Sequence, residues 1–452
     1  MTARPRVLAV APYCDGTDVG EAWCAYMWVR ELSAHADITL ITQARPGRTP
    51  LSDQLAGVRV IARPEPGWAL RMERLNAMAK LSYPGFYRWA KRQARDLLRS
   101  GPGFDIGHQF SPIALRFPSP LAGLGLPYVL GPLGGSLSTP AAFRGECESA
   151  AWYTRLRGLD TWRLKWDPVL KASYRGAAAV LGVAPYVRDL IGGDSLTRFT
   201  VMSELGVTQL QPARRDGKPA GQGLRLLHVG RGVRTKGLRD CVRALARLRD
   251  IPGLHLDVAG KGEEMPICQA LARALNVDHM ITFHGQISRA DVNRLYRQAD
   301  IFCFPSFREP SGSVIFEALG FGLPVIAADR GGPGHVIDDS CGVKIPVTDP
   351  DTYAADIAAA VRTLAGDAGR RRRMADGAIR KMAAVGLWPA KIAALLDLYS
   401  DIAAQNPERD TTHKGDMGPK GKETHTSWPH TPETPKSLPS HPVVDTGSSF
   451  CA

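Results

Sequence analysis

Apolar runs of strand length alternate with stretches of helical periodicity along nearly the whole chain, and few architectures accept that rhythm. The first cycle reads Val7–Ala11, a helical pattern over Glu21–Ser33, then runs at Ile38–Thr42 and Val58–Ala62. Such alternation is the signature of a parallel, doubly wound α/β sheet. After Arg63 the order loosens into basic, aromatic helices over 72–100, and strand-like runs resume at 105–109, 128–131, 180–183 and 199–202. A second series begins at Leu224, with runs at 226–229, 254–259, 281–283, 301–304, 325–327 and 342–345 and helical patterns over 351–365 and 388–404.

A chain of 452 residues exceeds what one core usually holds, so two domains are expected. The break falls in Gln209–Gly223, which is polar and rich in Gly and Pro. The chain therefore divides into a first domain (1–208), a linker (209–223), a second domain (224–385), a terminal helix (386–405) and a tail (406–452). The tail is dominated by Pro, Thr, Ser, His and Lys and is expected to be disordered. Its histidines, His413, His425, His430 and His441, lack metal-ligand spacing. Net charge is +13, and the tail beyond Asn406 carries five Lys/Arg against six Asp/Glu, so the cationic excess belongs to the folded part. That balance suits phosphorylated ligands, anionic membrane surfaces or nucleic acid. No nucleic-acid recognition motif accompanies it, so nucleic acid is not expected as a partner. The eight cysteines form no C-x-x-C pair, which argues against a zinc ribbon or disulfide framework. No signal-peptide core or spanning stretch is recognisable, and the expected location is cytoplasmic.

Pro305 to Val325 reads P-S-F-R-E-P-S-G-S-V-I-F-E-A-L-G-F-G-L-P-V. The run Ile301–Phe304 predicts a buried strand, and Val314, Ile315, Ala318 and Leu319 recur at helical spacing after it. The intervening loop thus opens a helix whose free amides at Ser311, Gly312, Ser313 and Val314 can meet an anionic or polyhydroxyl ligand. Glu309 would stand beside that ligand, and Glu317 could accept two of its hydroxyls. This segment resembles the Glu-x7-Glu motif of retaining, nucleotide-sugar-dependent glycosyltransferases of family four, which share the GT-B fold of two Rossmann-like domains facing across a cleft. The resemblance implies that Glu309 and the amides hold the donor sugar and that Glu317 holds the ribose. It also implies that the last helix, with Trp388 and Tyr399, docks back onto the first domain.

L-L-H-V-G-R-G-V-R-T-K-G-L, residues 226–238, is a strand, a glycine turn and a helix start. It resembles the family's G-R-x(n)-K-G signature, in which Arg231 and Lys236 would neutralise the diphosphate. A departing diphosphate gains negative charge and needs fixed cations; Arg grips phosphate through paired N–H bonds, and Lys acts as a point charge. Walker and dinucleotide readings fail, for Gly-Lys-[Ser/Thr] and the third Gly are missing. Gly230, the Gly260-x-Gly262 turn and Gly285 resemble segments where the family's backbone approaches the nucleotide. Asp349-Pro-Asp351 matches a metal-binding Asp-x-Asp only superficially, because helical periodicity begins directly after it and favours a cap. No metal and no cofactor beyond the nucleotide sugar are implied.

C-D-G-T-D-V-G-E-A-W, residues 14–23, joins the first strand to the first helix. It resembles the G-S-E-P-G-x-G-W first loop of one branch, with Gly16, Thr17, Gly20 and Trp23 matching and Asp18 and Val19 departing. This loop would face the acceptor. Many relatives carry two histidines near 108–109, whereas only His108 is present here, followed by Gln109 and Phe110; His108 is kept as a candidate catalytic residue. Asp15, Asp18 and Glu21 suit a cationic acceptor such as an amino sugar or aminocyclitol. The basic aromatic stretches, Arg71–Arg99 and Arg144–Arg175, instead suit a lipid-linked acceptor at an anionic membrane. The expected activity is retaining transfer of a hexose-type sugar to a hydroxyl; the alternative is a nucleotide-sugar-binding regulatory protein without turnover.

Overall fold

Each apolar run named above pairs in parallel with its neighbours in a computed structural model, which describes residues 4–72, 76, 79–101, 103–147, 158–212 and 223–405. The first sheet holds β1 (Arg6–Val10), β2 (Asp37–Ala44), β3 (Arg59–Pro64), β4 (Ile106–Gln109), β5 (Tyr128–Leu133), β6 (Ala179–Gly182) and β7 (Phe199–Val201), in the order β3-β2-β1-β4-β5-β6-β7. The second holds β8 (Arg225–Val229), β9 (His255–Ala259), β10 (Ile281–Gly285), β11 (Ile301–Phe304), β12 (Val325–Ala328) and β13 (Gly342–Ile345), in the order β10-β9-β8-β11-β12-β13. Strand order therefore reverses beside β1 in one sheet and beside β8 in the other. Crevices outside the carboxyl ends of strands at such reversals are where α/β sheets bind ligands. The loops after β1, β4, β8 and β11 all open there.

Helices cover the sheets through apolar stripes. The helices used below are α1 (Glu21–Ser33), α2 (Tyr83–Ser100), α3 (Leu238–Leu245), α4 (Ser313–Gly320), α5 (Gly331–Val336), α6 (Pro350–Gly366), α7 (Ala368–Val385) and α8 (Trp388–Ala404). The basic aromatic stretch contributes α2, which buries Tyr83, Phe86, Ala90, Ala94 and Leu97 at three- and four-residue steps and leaves its arginines outside. Each such large side chain contributes about 1.5–3 kcal/mol on burial. Asp349 accepts from the amides of Asp351 and Thr352, both at 3.0 Å, and so caps α6. Helix α7 is among those that went unread in the sequence.

Past α7 the chain returns to the first domain. Trp388, Ile392, Leu395, Leu398, Tyr399 and Ile402 of α8 join the core formed by β1, β2 and α1. The Trp388 and Trp28 rings meet edge-on at 5.1 Å, an arrangement that adds about 0.5–1.5 kcal/mol beyond burial. Both crossings between the sheets lie side by side, since the Val207 amide donates to Gly386 O at 2.8 Å. The middle of the expected linker (213–222) and the tail (406–452) lie outside the described residues. All seven described cysteines are free thiols. Among the described residues no helix is long and apolar enough to cross a membrane.

Candidate active site

Glycines bring the second-domain loops into contact. Gly237 has φ 80°, and a Cβ there would lie 2.2 Å from Pro305 O. The loop after β8 is thereby pressed against the loop after β11, an approach completed by Ser306 Oγ donating to Thr235 O at 2.9 Å. The Lys236 ammonium, at the end of one loop, forms an ion pair with the Glu309 carboxylate on the other. Both side chains are largely buried. Gly312, at φ 88°, caps α4, and the first intrahelical amide is that of Ile315, donating to Gly312 O at 2.9 Å. The Ser313 and Val314 amides precede it at the positive end of the helix. Glu317, just over one turn on, pairs with Arg289 at 2.8 Å.

The two arginines beside Lys236 have different fates. Arg234 is buried, meets Asp240 at 2.6 Å and Glu146 at 2.5 Å, and stacks over Phe143 and Phe307. Burial alone would lower its pKa, but the Asp240 and Glu146 carboxylates push it up. Burial likewise opposes ionisation of Glu146, yet hydrogen bonds from Arg243 and the charge of Arg234 hold its carboxyl at about 2. Arg231 is exposed and has no carboxylate partner among the described residues. It is the arginine left available to a ligand.

Gly260 and Gly262 have φ of 136° and 150°. Cβ atoms there would lie 1.9 Å from Gly230 O and 2.3 Å from Gly232 O. Glycine at both positions thus lets the loops after β8 and β9 touch. Gly285 has φ 67° and open space around it.

On the facing domain, Gly16 and Thr17 line an interdomain groove of about 670 Å³ whose other wall includes Arg289, Ser313 and Glu317. Arg231, Lys236 and Glu309 are not among its walls. Gly20 takes φ 64° at the start of α1. Asp18 lies 3.6 Å from Arg45 and 4.0 Å from Arg48, and Glu21 lies 3.0 Å from Lys80. Asp15 accepts the Thr17 amide and hydroxyl, each at 2.8 Å. The carboxylates that suggested a cationic acceptor are thus already partnered. A second cavity of about 820 Å³, lined by Tyr13, Asp15, Asp18, Arg45 and Lys80 among others, opens on the same side.

His108 requires a correction. It is fully buried, stacks on Phe110 and has both ring nitrogens engaged, Nε2 at 2.8 Å from Gly131 O and Nδ1 at 2.5 Å from Tyr399 Oη. A carbonyl only accepts, so Nε2 carries the proton and Tyr399 donates to Nδ1. Burial drives its pKa down to about 3. His108 anchors α8 and does not reach the cleft.

Glu204, after β7, was missed in the sequence. Its carboxylate oxygens accept Ser311 Oγ at 2.6 and 2.7 Å. Arg308 donates to Thr139 Oγ1 and Arg330 to Ser138 Oγ, both at 3.2 Å, so three contacts bridge the domains around Glu309. No motif marks Glu204; its partner lies 107 residues away.

Residues 211–381 match the family model described as Glycosyl transferases group 1. A glycogen synthase of Mycobacterium tuberculosis is 33% identical over 186 residues, 41% of this chain and 44% of the relative. A D-inositol 3-phosphate glycosyltransferase of Corynebacterium kroppenstedtii is 34% identical over 188 residues, 40% of this chain and 41% of the relative. The matched region is thus less than half the length of these relatives. Sucrose-phosphate synthase from Thermosynechococcus elongatus superposes with TM-score 0.59 at 18% identity, covering 89% of this chain and all of the other. HepE of Anabaena, solved in complex with UDP, superposes at 0.58 and 17% identity, covering 88% and 100%. These likenesses and the two parallel sheets establish the GT-B fold, with the group 1 match confined to the half that carries Arg231, Lys236, Glu309 and Glu317.

Proposed function

We propose that the chain is a retaining glycosyltransferase that moves a hexose-type sugar from a nucleoside diphosphate to a hydroxyl of a glycan, lipid-linked or small-molecule acceptor. The observation that carries this reading is the Lys236–Glu309 ion pair at the strand-order reversal, beside the free amides of α4. A donor would exchange that pair for its own contacts: Lys236 and Arg231 on the diphosphate, Glu309 on the sugar and Glu317 on the ribose. The acceptor hydroxyl would attack from the face the diphosphate leaves, through an oxocarbenium-like transition state. No cofactor beyond the nucleotide sugar enters this reading. Support for a nucleotide donor comes from the group 1 match and from the UDP bound in the similarly folded HepE.

Binding without turnover is the second reading, favoured by the withdrawal of His108 from the cleft. Thermal stabilisation against nucleoside diphosphates and their sugars, followed by product analysis, tests both. A ligand at 100 times its Kd stabilises by about 2.7 kcal/mol. A shift with one base and one sugar, followed by transfer with retained anomeric configuration, is expected. A shift without transfer or hydrolysis over an acceptor panel supports the second reading, and no shift with any nucleotide overturns both.

The reading includes peripheral attachment to an anionic membrane on its cytoplasmic side. Trp162 and Trp166 are exposed one helical turn apart, with Lys165 between them and Lys171 and Arg175 following, a composition suited to an anionic interface. Co-sedimentation with anionic but not zwitterionic vesicles is expected, and equal partitioning would remove this element.

A further inference from the structure

Ser311 stands between Glu309 and the Gly312 cap of α4, in a loop held from its own domain by the contacts below and from the facing domain by Thr139, which accepts from Arg308. Arg330 donates to Phe307 O at 3.0 Å, and the Gly332 amide donates to Glu309 O at 3.1 Å. Behind the loop there is no slack, because a Cβ on Gly332 would lie 2.5 Å from both Pro310 O and Ser311 O. The Ser311 hydroxyl is the loop's link to the segment leaving β7, where Glu204 accepts it through both carboxylate oxygens.

Glu204 is itself held on a rigid support. Trp28 Nε1 of α1 donates to Glu204 O at 3.0 Å, Lys391 Nζ of α8 donates to Ser203 O at 2.6 Å, and the Leu205 amide donates to Ser203 Oγ at 3.1 Å. A Cβ on Gly206 would lie 2.7 Å from the Trp388 ring, so the next residue is also wedged against α8. A carboxylate in such a place is a poor source of stability, since its desolvation opposes what its partners return. Burial pushes its pKa up while the Ser311 hydroxyl pulls it back, and as an acceptor it is directional, with both oxygens on that one hydroxyl. It reaches the donor-side loop only when the two domains are together.

We propose that Glu204 is a positioning residue that locks Ser311, and through it Glu309 and the amino end of α4, into the donor-binding arrangement when the domains close. Glu204 touches no reacting atom in this scheme. The inference rests on the function proposed above for its catalytic consequence, but its structural half stands without it.

The test compares wild type with Glu204→Ala, Glu204→Gln, Ser311→Ala and the Glu204→Ala/Ser311→Ala double variant in the full chain. Amide hydrogen exchange is read first without any ligand. Exchange of the Ile315 and Phe316 amides, which donate to Gly312 O, is expected to quicken at least tenfold in Glu204→Ala and Ser311→Ala, with no further gain in the double variant. Glu204→Gln, whose amide oxygen still accepts the hydroxyl, should return most of the protection. Transfer kinetics follow. The expected outcome is a kcat 10- to 100-fold lower in the two single alanine variants, nucleoside diphosphate affinity within threefold of wild type, and recovery in Glu204→Gln. Unchanged exchange, or single-variant effects that multiply in the double variant, would overturn the coupling. Altered exchange with wild-type kcat would overturn the positioning role. Failure of the wild-type protein to bind any nucleotide would instead strike the proposed function, leaving the exchange result to decide the lock.

Discussion

Lys236 and Glu309 neutralise one another across the two loops that follow β8 and β11. Each sits where only a partner makes its burial tolerable, and each is within reach of a ligand entering at the amino end of α4. Lys236 is further held 5.6 Å from the Phe304 ring centroid, so the cation is pre-placed rather than swinging in solvent. Fixed charges of this kind act on the transition state without reorganisation, and losing one typically costs about 10²–10³-fold in kcat. Lys236→Ala and Glu309→Ala are therefore expected to lose at least about 100-fold in transfer. Glu309→Gln should also lose transfer, with a lowered melting temperature, because the amide oxygen still accepts from Lys236 but no longer neutralises it. Single-turnover assays beside thermal melts check this; near-wild-type turnover in either alanine variant would sink the assignment.

Arg231 and Arg234 should separate binding from folding. Arg234 is enclosed by Asp240, Glu146, Phe143 and Phe307, and removing one partner of a buried charge network costs about 3–5 kcal/mol. Arg234→Met should lower stability by that order in urea titrations, whereas Arg231→Ala should leave it within about 0.5 kcal/mol. Arg231→Ala should instead weaken nucleoside diphosphate binding, read by calorimetry. Equal stability losses in the two variants would contradict the division of labour.

Lys391 makes stability depend on alkaline pH. Burial pushes its pKa down to about 7, against the pull of Glu204 and Cys24. Its ammonium lies over Trp28 and Trp388 at 4.9 and 6.0 Å. The unfolded chain keeps this proton up to about 10.4, so between about 7 and 10 the unfolded state binds more protons and stability rises with pH. The slope approaches about 1.4 kcal/mol per pH unit at most. Wild type should gain on Lys391→Met as pH is raised from 7 to 9.5 in urea titrations; parallel curves would show that Lys391 stays charged in the fold.

The strands were legible because each is a short apolar run between turn residues, and that pattern survives without tertiary information. Helix α7 was not, for it opens on Arg370–Arg373 and buries only Met374, Gly377, Ala378 and Met382. Two of those four are too small to mark an apolar stripe. The glutamate pair and Lys236 could be found from local spacing. Which of two nearby arginines would be consumed by carboxylates could not, because Glu146 reaches Arg234 from 88 residues away. Glu204 was invisible for the same reason. His108 was misread because sequence position at a strand end says nothing about which way the ring turns, and Tyr399, 291 residues on, takes it inward.

That inward turn gives the last prediction. Tyr399→Phe removes the donor to His108 Nδ1 and leaves a buried acceptor unpaired, at a cost of about 1–3 kcal/mol. His108 holds its pKa near 3 in the fold, against about 6.5 in the unfolded chain. As pH falls below about 6.5 the unfolded state takes up a proton that the native ring refuses, so stability declines toward pH 3. His108→Gln should flatten this decline by the equivalent of one proton in acid-unfolding curves. Because the ring does not face the cleft, kcat of Tyr399→Phe at neutral pH, measured well below its melting temperature, should stay within about threefold of wild type, equivalent to less than about 0.7 kcal/mol. A large loss of kcat with an unchanged melting temperature would return His108 to the chemistry.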